Sequence, residues 1–273
     1  MRSLLIVFCF LTFSCSSNHR YPLAICAIFK DEASWLKEWI TYHHKVLGVQ
    51  HFYLYNNDSS DNYAEVLRSF IQQGIVELID WSSNDPSHHM VGHENLISAQ
   101  LGAYNDCLKS RALGKAKWVA MIDIDEYIVP AKGIKSFYGI LRKAEKRRKG
   151  TIRLFWRVFG TSDIETLKPG ELLIEKLLWR SQDAHPWNRH VKSIHRPEAV
   201  AFCLVHEAGK LKEKFHRQTI PMDHVSIHHY WTRTAEACRS KRRMSKETNP
   251  EFFQALHELQ DDTILQYIPL KGL

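Results

Sequence analysis

The stretch WVAMIDIDEYIVP, residues 118–130, constrains this chain more than any other. Trp118 to Ile122 is an apolar run that reads as a buried strand, bounded by Lys115 and Lys117 before it and Pro130 after it. It ends abruptly in Asp123-Ile124-Asp125-Glu126. Three carboxylates at the end of a buried strand cost more than packing alone returns, so they point to chemistry. In extended chain Asp123 and Asp125 face the same side, roughly 7 Å apart at ~3.3 Å per residue. A divalent cation with oxygen ligands of its own fits between them. Mg²⁺ and Mn²⁺ prefer such hard donors and commonly share a phosphate with one or two carboxylates. The plainer alternative is an acidic strand end that caps a following helix. The apolar run in front favours the cation.

A chain of 273 residues with 44% hydrophobic residues can hold one large domain or two small ones. Its net charge of +7 is concentrated in KAEKRRK (143–149) and RSKRR (239–243). Such runs are ordinarily solvated faces, and their functional reading is attraction to an anion: a diphosphate, an acidic glycan or a lipid surface. Neither run carries the interleaved aromatics of a nucleic-acid platform, so no nucleic-acid partner is expected. Residues 1–18 form a separate leader: Arg2, an apolar stretch from Leu4 to Phe13, then Ser14-Cys15-Ser16-Ser17. That stretch suits a signal-peptide core and falls short of the ~20 residues of a spanning helix. TFSC loosely resembles a lipobox, although Phe13 fits it poorly, so a lipid on Cys15 is a second way to a membrane. Membrane association through this leader is expected, facing either cytosol or secretory lumen. Cys26, Cys107, Cys203 and Cys238 show no CxxC or CxxH spacing, which argues against zinc; export would allow a disulfide or two, but the apolar patterns around Cys26 and Cys107 favour buried thiols.

Beyond the leader, residues 19–273 read as one catalytic domain, with a nucleotide half over 19–150 and an acceptor half over 151–273. Leu23 to Phe29 is a buried strand that ends at Lys30-Asp31-Glu32. Ala33 to Val46 is an amphipathic helix closed by Gly48. His51 to Tyr55 is a second strand running into Asn56-Asn57-Asp58-Ser59-Ser60-Asp61. A helix from Tyr63 to Gln73, a strand from Ile75 to Ile79 and a long helix from Asn95 to Ala112 lead to the carboxylate strand. The alternation predicts an α/β fold: a mostly parallel sheet with helices on both faces. Ligands of such sheets bind beyond the carboxyl ends of the strands, where all three polar clusters fall. The second half is less regular. Thr151 to Phe159 is a strand, Lys192 to Pro197, Cys203 to His206 and Ser226 to Trp231 are short strand-like pieces, and a basic helix spans about 234 to 244. His228 and His229 are neighbours on a strand, so only one can face a given site.

These segments resemble glycosyltransferases of the GT-A type, near family 92 and its family-2-like relatives. The matching strings are KDEASWLKEWITYHHKVLGVQHFYLYNNDSSD, AQLGAYNDCL, KWVAMIDIDEYIVP, WRVFGTS, KSIHRPE and HHYWTRT, from residue 30 to about 234. Asp31 stands where the family commonly has Asn, and FGTSDI replaces an FGSSGH-like turn. The resemblance implies a GT-A (Rossmann-like) fold and transfer of a sugar from a nucleotide-diphosphate donor to a glycan or glycolipid hydroxyl. It implies Mn²⁺ or Mg²⁺ as cofactor, held by Asp123, Asp125 and His229, the last from the family's HYW string. Donor contacts fall on Lys30, Glu32, Asn57, Asp58 and Asp123, with Asp61 in the same loop. Lys192 and Arg196 are candidates for the diphosphate oxygens. An inverting transfer needs a carboxylate base, for which Asp163, Glu165 and Asp183 are available. Glu126 supports the metal pair from behind.

Two other readings remain open on the residues. A phosphohydrolase of the haloacid-dehalogenase kind also places D-x-D at a strand end, but it wants a small hydroxyl residue where Tyr127 and Ile128 stand. A catalytically inactive glycan-binding descendant is the other, and the intact DIDE and HHYW strings speak against it.

Overall fold

The computed structural model describes residues 19–91, 97–134 and 136–268. The leader therefore lies outside the described residues, as do residues 92–96, which include Asn95 and Leu96 at the start of the expected long helix. One sheet runs through both halves of the chain. Its strands are β1 (Tyr21–Phe29), β2 (His51–Asn56), β3 (Val76–Asp80), β4 (Ala116–Met121), β5 (Glu126–Pro130), β6 (Lys149–Val158), β7 (Val191–His195), β8 (His216–Thr219) and β9 (Val225–His229). The order is β3-β2-β1-β4-β7-β6-β9-β5, with β8 paired to β6. In the first half β1 to β4 are parallel, while β5 pairs antiparallel with β9. In the second half β7 runs antiparallel to both β4 and β6, while β9 is parallel to β6. This is the α/β architecture that the sequence implies.

The first half forms because its strands are apolar on both faces. Leu23, Ile25 and Ala27 pack with α1 (Ala33–Leu47) and its core, whereas Ala24 and Cys26 pack on the other face with α3 (Ala99–Asp106). Burial on both faces is what a continuous apolar run in a parallel strand encodes. In α1 the buried residues Leu36, Trp39, Ile40, His43 and Leu47 recur at helical spacing. Gly48 closes the helix at φ +68°, with its N–H donating to the His43 carbonyl. The helix is also strapped to β5: Trp39 Nε1–H donates to the Glu126 carbonyl at 2.8 Å, and the Tyr42 hydroxyl to Ile128 at 3.1 Å. The expected helix from 95 to 112 is shorter. Ser98 caps α3 by accepting from the Leu101 N–H, and after Asp106 the chain widens into a π turn over Cys107–Arg111.

Further helices are α2 (Tyr63–Gln72), α4 (Phe137–Lys146), α5 (Leu173–Lys176) and α6 (Ala235–Arg242). Cys26, Cys107, Cys203 and Cys238 are free and buried. Among the described residues no helix is long and apolar enough to cross a membrane.

Candidate active site

The three polar clusters meet at the carboxyl edge of β1, β2 and β4, as the parallel topology demands. They line a cleft of about 970 Å³. Its first-half wall carries Lys30, Asp31, Glu32, Asn57 and Gln100. The NNDSSD loop serves largely as scaffold for that wall. Asp61 caps α1 by accepting from the Ala33 N–H at 2.7 Å, and the Ser60 N–H donates to Asp31. Asp58 does not line the cleft. Its carboxylate accepts from Ser82 and Ser83, so the expected donor contact there is corrected to a turn acceptor.

Asp123, Ile124 and Asp125 are not in extended chain, as alternation suggested, but form a tight turn between β4 and β5. The Glu126 N–H closes the turn onto the Asp123 carbonyl at 3.1 Å, and the Asp123 N–H donates to Glu126 Oε2 at 2.9 Å. The turn separates the two aspartates chemically. Asp123 Oδ1 accepts from Gln100 at 2.8 Å and from the Tyr104 hydroxyl at 3.0 Å. Its Oδ2 accepts from Lys192 Nζ at 2.9 Å. The Lys192 ammonium is buried, which disfavours its charge, but Asp123 and Glu126 outweigh burial and raise its pKa. Glu126 is fully buried and lies 3.6 Å from the same ammonium. Burial pushes its carboxyl up, against the pull of Lys192. Lys192 thus supports Asp123 from below instead of reaching a diphosphate.

Asp125 faces the other way. Its Oδ1 lies 3.5 Å from His229 Nε2, and its Oδ2 lies 3.3 Å from Arg242 and 3.9 Å from Arg233. Burial alone would raise its pKa, but His229 and the two guanidiniums hold it well below the usual carboxylate range. For His229, burial opposes protonation, and Asp125 overcomes it to raise the imidazole pKa. Strand alternation decides which histidine faces the site. His229 pairs in register with Glu126 and Val158, whereas His228 is buried against Phe159 at 4.6 Å. Burial drives the His228 pKa down to about 3.

Arg233 sits at φ +55°, an uncommon backbone conformation for a side chain of this size. Its guanidinium meets Glu32 at 2.6 Å and lies 5.2 Å from the Trp35 ring. Lys241 pairs with Glu32, and Arg242 stacks 4.6 Å over Trp231. Arg233 escaped the sequence reading, which weighed RSKRR, the source of Lys241 and Arg242, as a solvated face or as an attraction for an anion such as a diphosphate. Arg233 and Trp231 in HHYWTRT were the available signal. Gln100 and Trp156 stood inside the quoted strings AQLGAYNDCL and WRVFGTS without being singled out, and Trp187 carried no signal.

The remaining expected positions lie elsewhere. Arg196 follows β7, which is antiparallel to β4 and pairs His195 with Val119. It therefore emerges at the far edge of the sheet, bound to Glu198 and beside Trp118, and is corrected as a diphosphate ligand. Asp163 pairs with Lys246 at 2.9 Å and Glu165 with Arg239, both along smaller clefts beyond the main one. Asp183 is held by Arg180 at 2.8 Å and Arg157 at 3.4 Å. None of the three lines the cleft of the aspartate turn, so each is corrected as a base acting there.

Among the described residues no group of three or more His, Cys, Asp or Glu side chains is arranged around one metal position. Asp125 and His229 nevertheless point at each other across 3.5 Å, and His229 Nδ1 has no hydrogen-bond partner among the described residues. Two protein ligands, with the rest supplied by phosphate and water, suit Mg²⁺ or Mn²⁺. The residues present fit such an ion at Asp125 and His229, with Asp123 fastened alongside.

A family model for glycosyltransferase family 92 matches residues 20–267. This chain belongs to glycosyltransferase family 92. Similar curated proteins include a family 92 member from Ricinus communis, 29% identical over 226 residues, covering 79% of this chain and 36% of the relative. Another, from Oryza sativa subsp. japonica, is 29% identical over 224 residues, covering 81% of this chain and 35% of the relative. The chain thus spans about a third of the length of the curated relatives it matches. Solved structures with some likeness include S. aureus TarS 1-349, with a TM-score of 0.42 and 8% identity over 90% of this chain and 81% of that one. The mannosyltransferase PcManGT from Pyrobaculum calidifontis, in complex with GDP-Man and Mn²⁺, has a TM-score of 0.43 and 12% identity, covering 88% and 69%.

Proposed function

We propose that this family 92 chain transfers a sugar from a nucleotide-diphosphate donor to a hydroxyl of a glycan or lipid-linked acceptor, with Mn²⁺ or Mg²⁺ and with inversion. The observation that carries the reading is the gathering of Asp125 and His229 with Arg233, Lys241 and Arg242 in the lining of one cleft. Four cations of the lining (Lys30, Arg233, Lys241, Arg242) face four carboxylates (Asp31, Glu32, Asp123, Asp125). A nucleoside diphosphate that arrives with a divalent ion adds little net charge to such a lining, whereas either alone would upset it.

The nucleoside lies against Lys30, Glu32 and Asn57 at the ends of β1 and β2. Arg233 and Arg242 supply bidentate donors for the diphosphate oxygens, and Lys241 supplies a point charge. A bound divalent ion, held by Asp125 and His229, supplies electrostatic stabilisation of the negative charge that gathers on the leaving diphosphate. To receive the donor, Lys241 and Arg242 exchange Glu32 and Asp125 for phosphate oxygens. Lys192, Gln100 and Tyr104 hold Asp123 in one rotamer meanwhile. As the bond from sugar to diphosphate breaks, the accepting hydroxyl gives its proton to a carboxylate of the cleft lining, not to Asp163, Glu165 or Asp183, which lie outside it. We also place the chain at a membrane through residues 1–18, which fractionation with protease protection tests.

Purified protein incubated with Mn²⁺ and a panel of uridine and guanosine diphosphate sugars should release nucleoside diphosphate from at least one of them. Binding of a glycan with no turnover of any donor would favour the inactive glycan-binding reading instead.

A further inference from the structure

The cleft has a second wall, built from the acceptor half, that the donor does not need. Trp156 on β6, Trp187 in the turn Pro186–Arg189, His190 just after it and Trp231 just after β9 all line the cleft. Sheet order places this wall on the far side of β4 from β1, β2 and β3, whose ends carry the proposed nucleoside contacts. The aromatic groups form two ring clusters, joined by the bond between His190 Nδ1 and the Trp187 carbonyl. Trp187 and Trp231 meet edge to face at 5.2 Å, His190 stacks on Trp156 at 5.0 Å, and Trp156 touches the His229 ring at 4.3 Å. The second cluster ends at the very histidine that meets Asp125.

His190 is exposed, and its ring is oriented by its neighbour. Nδ1 lies 3.0 Å from the Trp187 carbonyl. A carbonyl oxygen only accepts, so Nδ1 carries the proton in that bond and Nε2 is left as a bare acceptor. A wall of indole rings that ends in an open acceptor nitrogen is amphipathic in a particular way. It offers flat apolar area to C–H groups and a hydrogen-bond acceptor at the margin. A pyranose has that complement: one ring face rich in C–H and a rim of hydroxyls. A polyprenyl chain would leave His190 and the charged lining unmatched.

We propose that Trp187, Trp231 and His190, backed by Trp156, form a saccharide subsite that holds the acceptor, so that the accepting hydroxyl belongs to a sugar ring. This rests on the glycosyl-transfer reading above and narrows its acceptor from glycan or lipid to glycan. Trp231 also carries Arg242 on its ring, so its removal would disturb the donor side as well. Trp187 and the exposed His190 are the cleaner positions to change.

Saturation-transfer difference NMR on the whole chain tests this, with methyl glycosides of galactose, mannose, N-acetylglucosamine and fucose as probes, and geranylgeranyl phosphate as the lipid arm. Spectra are taken with and without Mn²⁺ and nucleoside diphosphate. At least one glycoside should receive saturation, mainly on ring C–H protons. The signal should fall by about fivefold in Trp187→Ala and measurably in His190→Ala, while circular dichroism and nucleoside diphosphate affinity stay as in the unaltered protein. A glycoside signal unchanged in both variants would overturn the subsite. So would saturation of the lipid alone, or no glycoside signal in protein that binds the nucleotide. Loss of nucleotide binding in the unaltered protein, with the Trp187-dependent glycoside signal retained, would instead reject the donor reading and leave the subsite standing.

Discussion

Asp125 is only 6% exposed, and its carboxylate faces His229, Arg233 and Arg242. Removing it strands those cations in a buried setting, so Asp125→Ala should destabilise the fold by about 3–5 kcal/mol. Asp125→Asn keeps volume and hydrogen-bonding capacity and should cost clearly less. Thermal or urea unfolding of the two variants compares them. The sequence placed Asp125 at the end of a buried strand without showing what surrounds its carboxylate. Its true surroundings come from residues more than a hundred positions later and were not legible locally. Glu38 gives a second test at this scale. It lies on α1, accepts from the Leu173 and Ile174 N–H groups, and is nearly buried, which raises its pKa to about 7. A carboxyl whose folded pKa is raised contributes stability below its unfolded pKa, and that contribution is lost as pH climbs through the folded value. Relative to Glu38→Gln, the unaltered protein should therefore lose on the order of 3 kcal/mol between about pH 5 and pH 8. Parallel pH dependences in the two proteins would contradict the assignment.

Helix α6 shows how an element becomes part of a site. Thr234 accepts from the Ala237 N–H at 3.3 Å and starts the helix, whose last turn delivers Lys241 and Arg242 to Glu32 and Asp125. Thr234→Ala should cost about 1 kcal/mol of stability and fray this helix. Calorimetry should then find weaker nucleoside diphosphate binding, although the changed residue touches no ligand. The sequence located this helix to within two residues at each end, because a cap and a run of charge mark it. It did not reveal which face turns inward, because Arg242 is drawn in by Trp231 and Asp125, not by any apolar stripe. The first half was legible for the opposite reason. In β1, α1 and β2 burial and periodicity coincide, so pattern and structure agree. The short strands of the second half owe their burial to neighbours, and β7 illustrates the consequence. Its residues looked strand-like, but only its antiparallel pairing places Lys192 under Asp123 and sends Arg196 to the opposite edge.

At the scale of the whole molecule, one sheet joins the two halves and fixes what faces what. The parallel strands β1, β2 and β4 bring the first-half loops to one edge, and β9 brings His229 to meet them. The bases expected at Asp163, Glu165 and Asp183 are placed by the structure outside the shared cleft. All three lie in the half of the chain that should hold the acceptor, yet each is fastened to a cation away from the cleft. The central claim is that this shared edge binds a nucleoside diphosphate together with a divalent ion at Asp125 and His229. Isothermal titration of uridine and guanosine diphosphate into the full chain tests it most directly, with Mn²⁺, with chelator, and in Asp125→Asn. Saturable binding of at least one nucleotide should require Mn²⁺ and weaken by about tenfold or more in the variant. Equal affinity in chelator, or in Asp125→Asn, would contradict it.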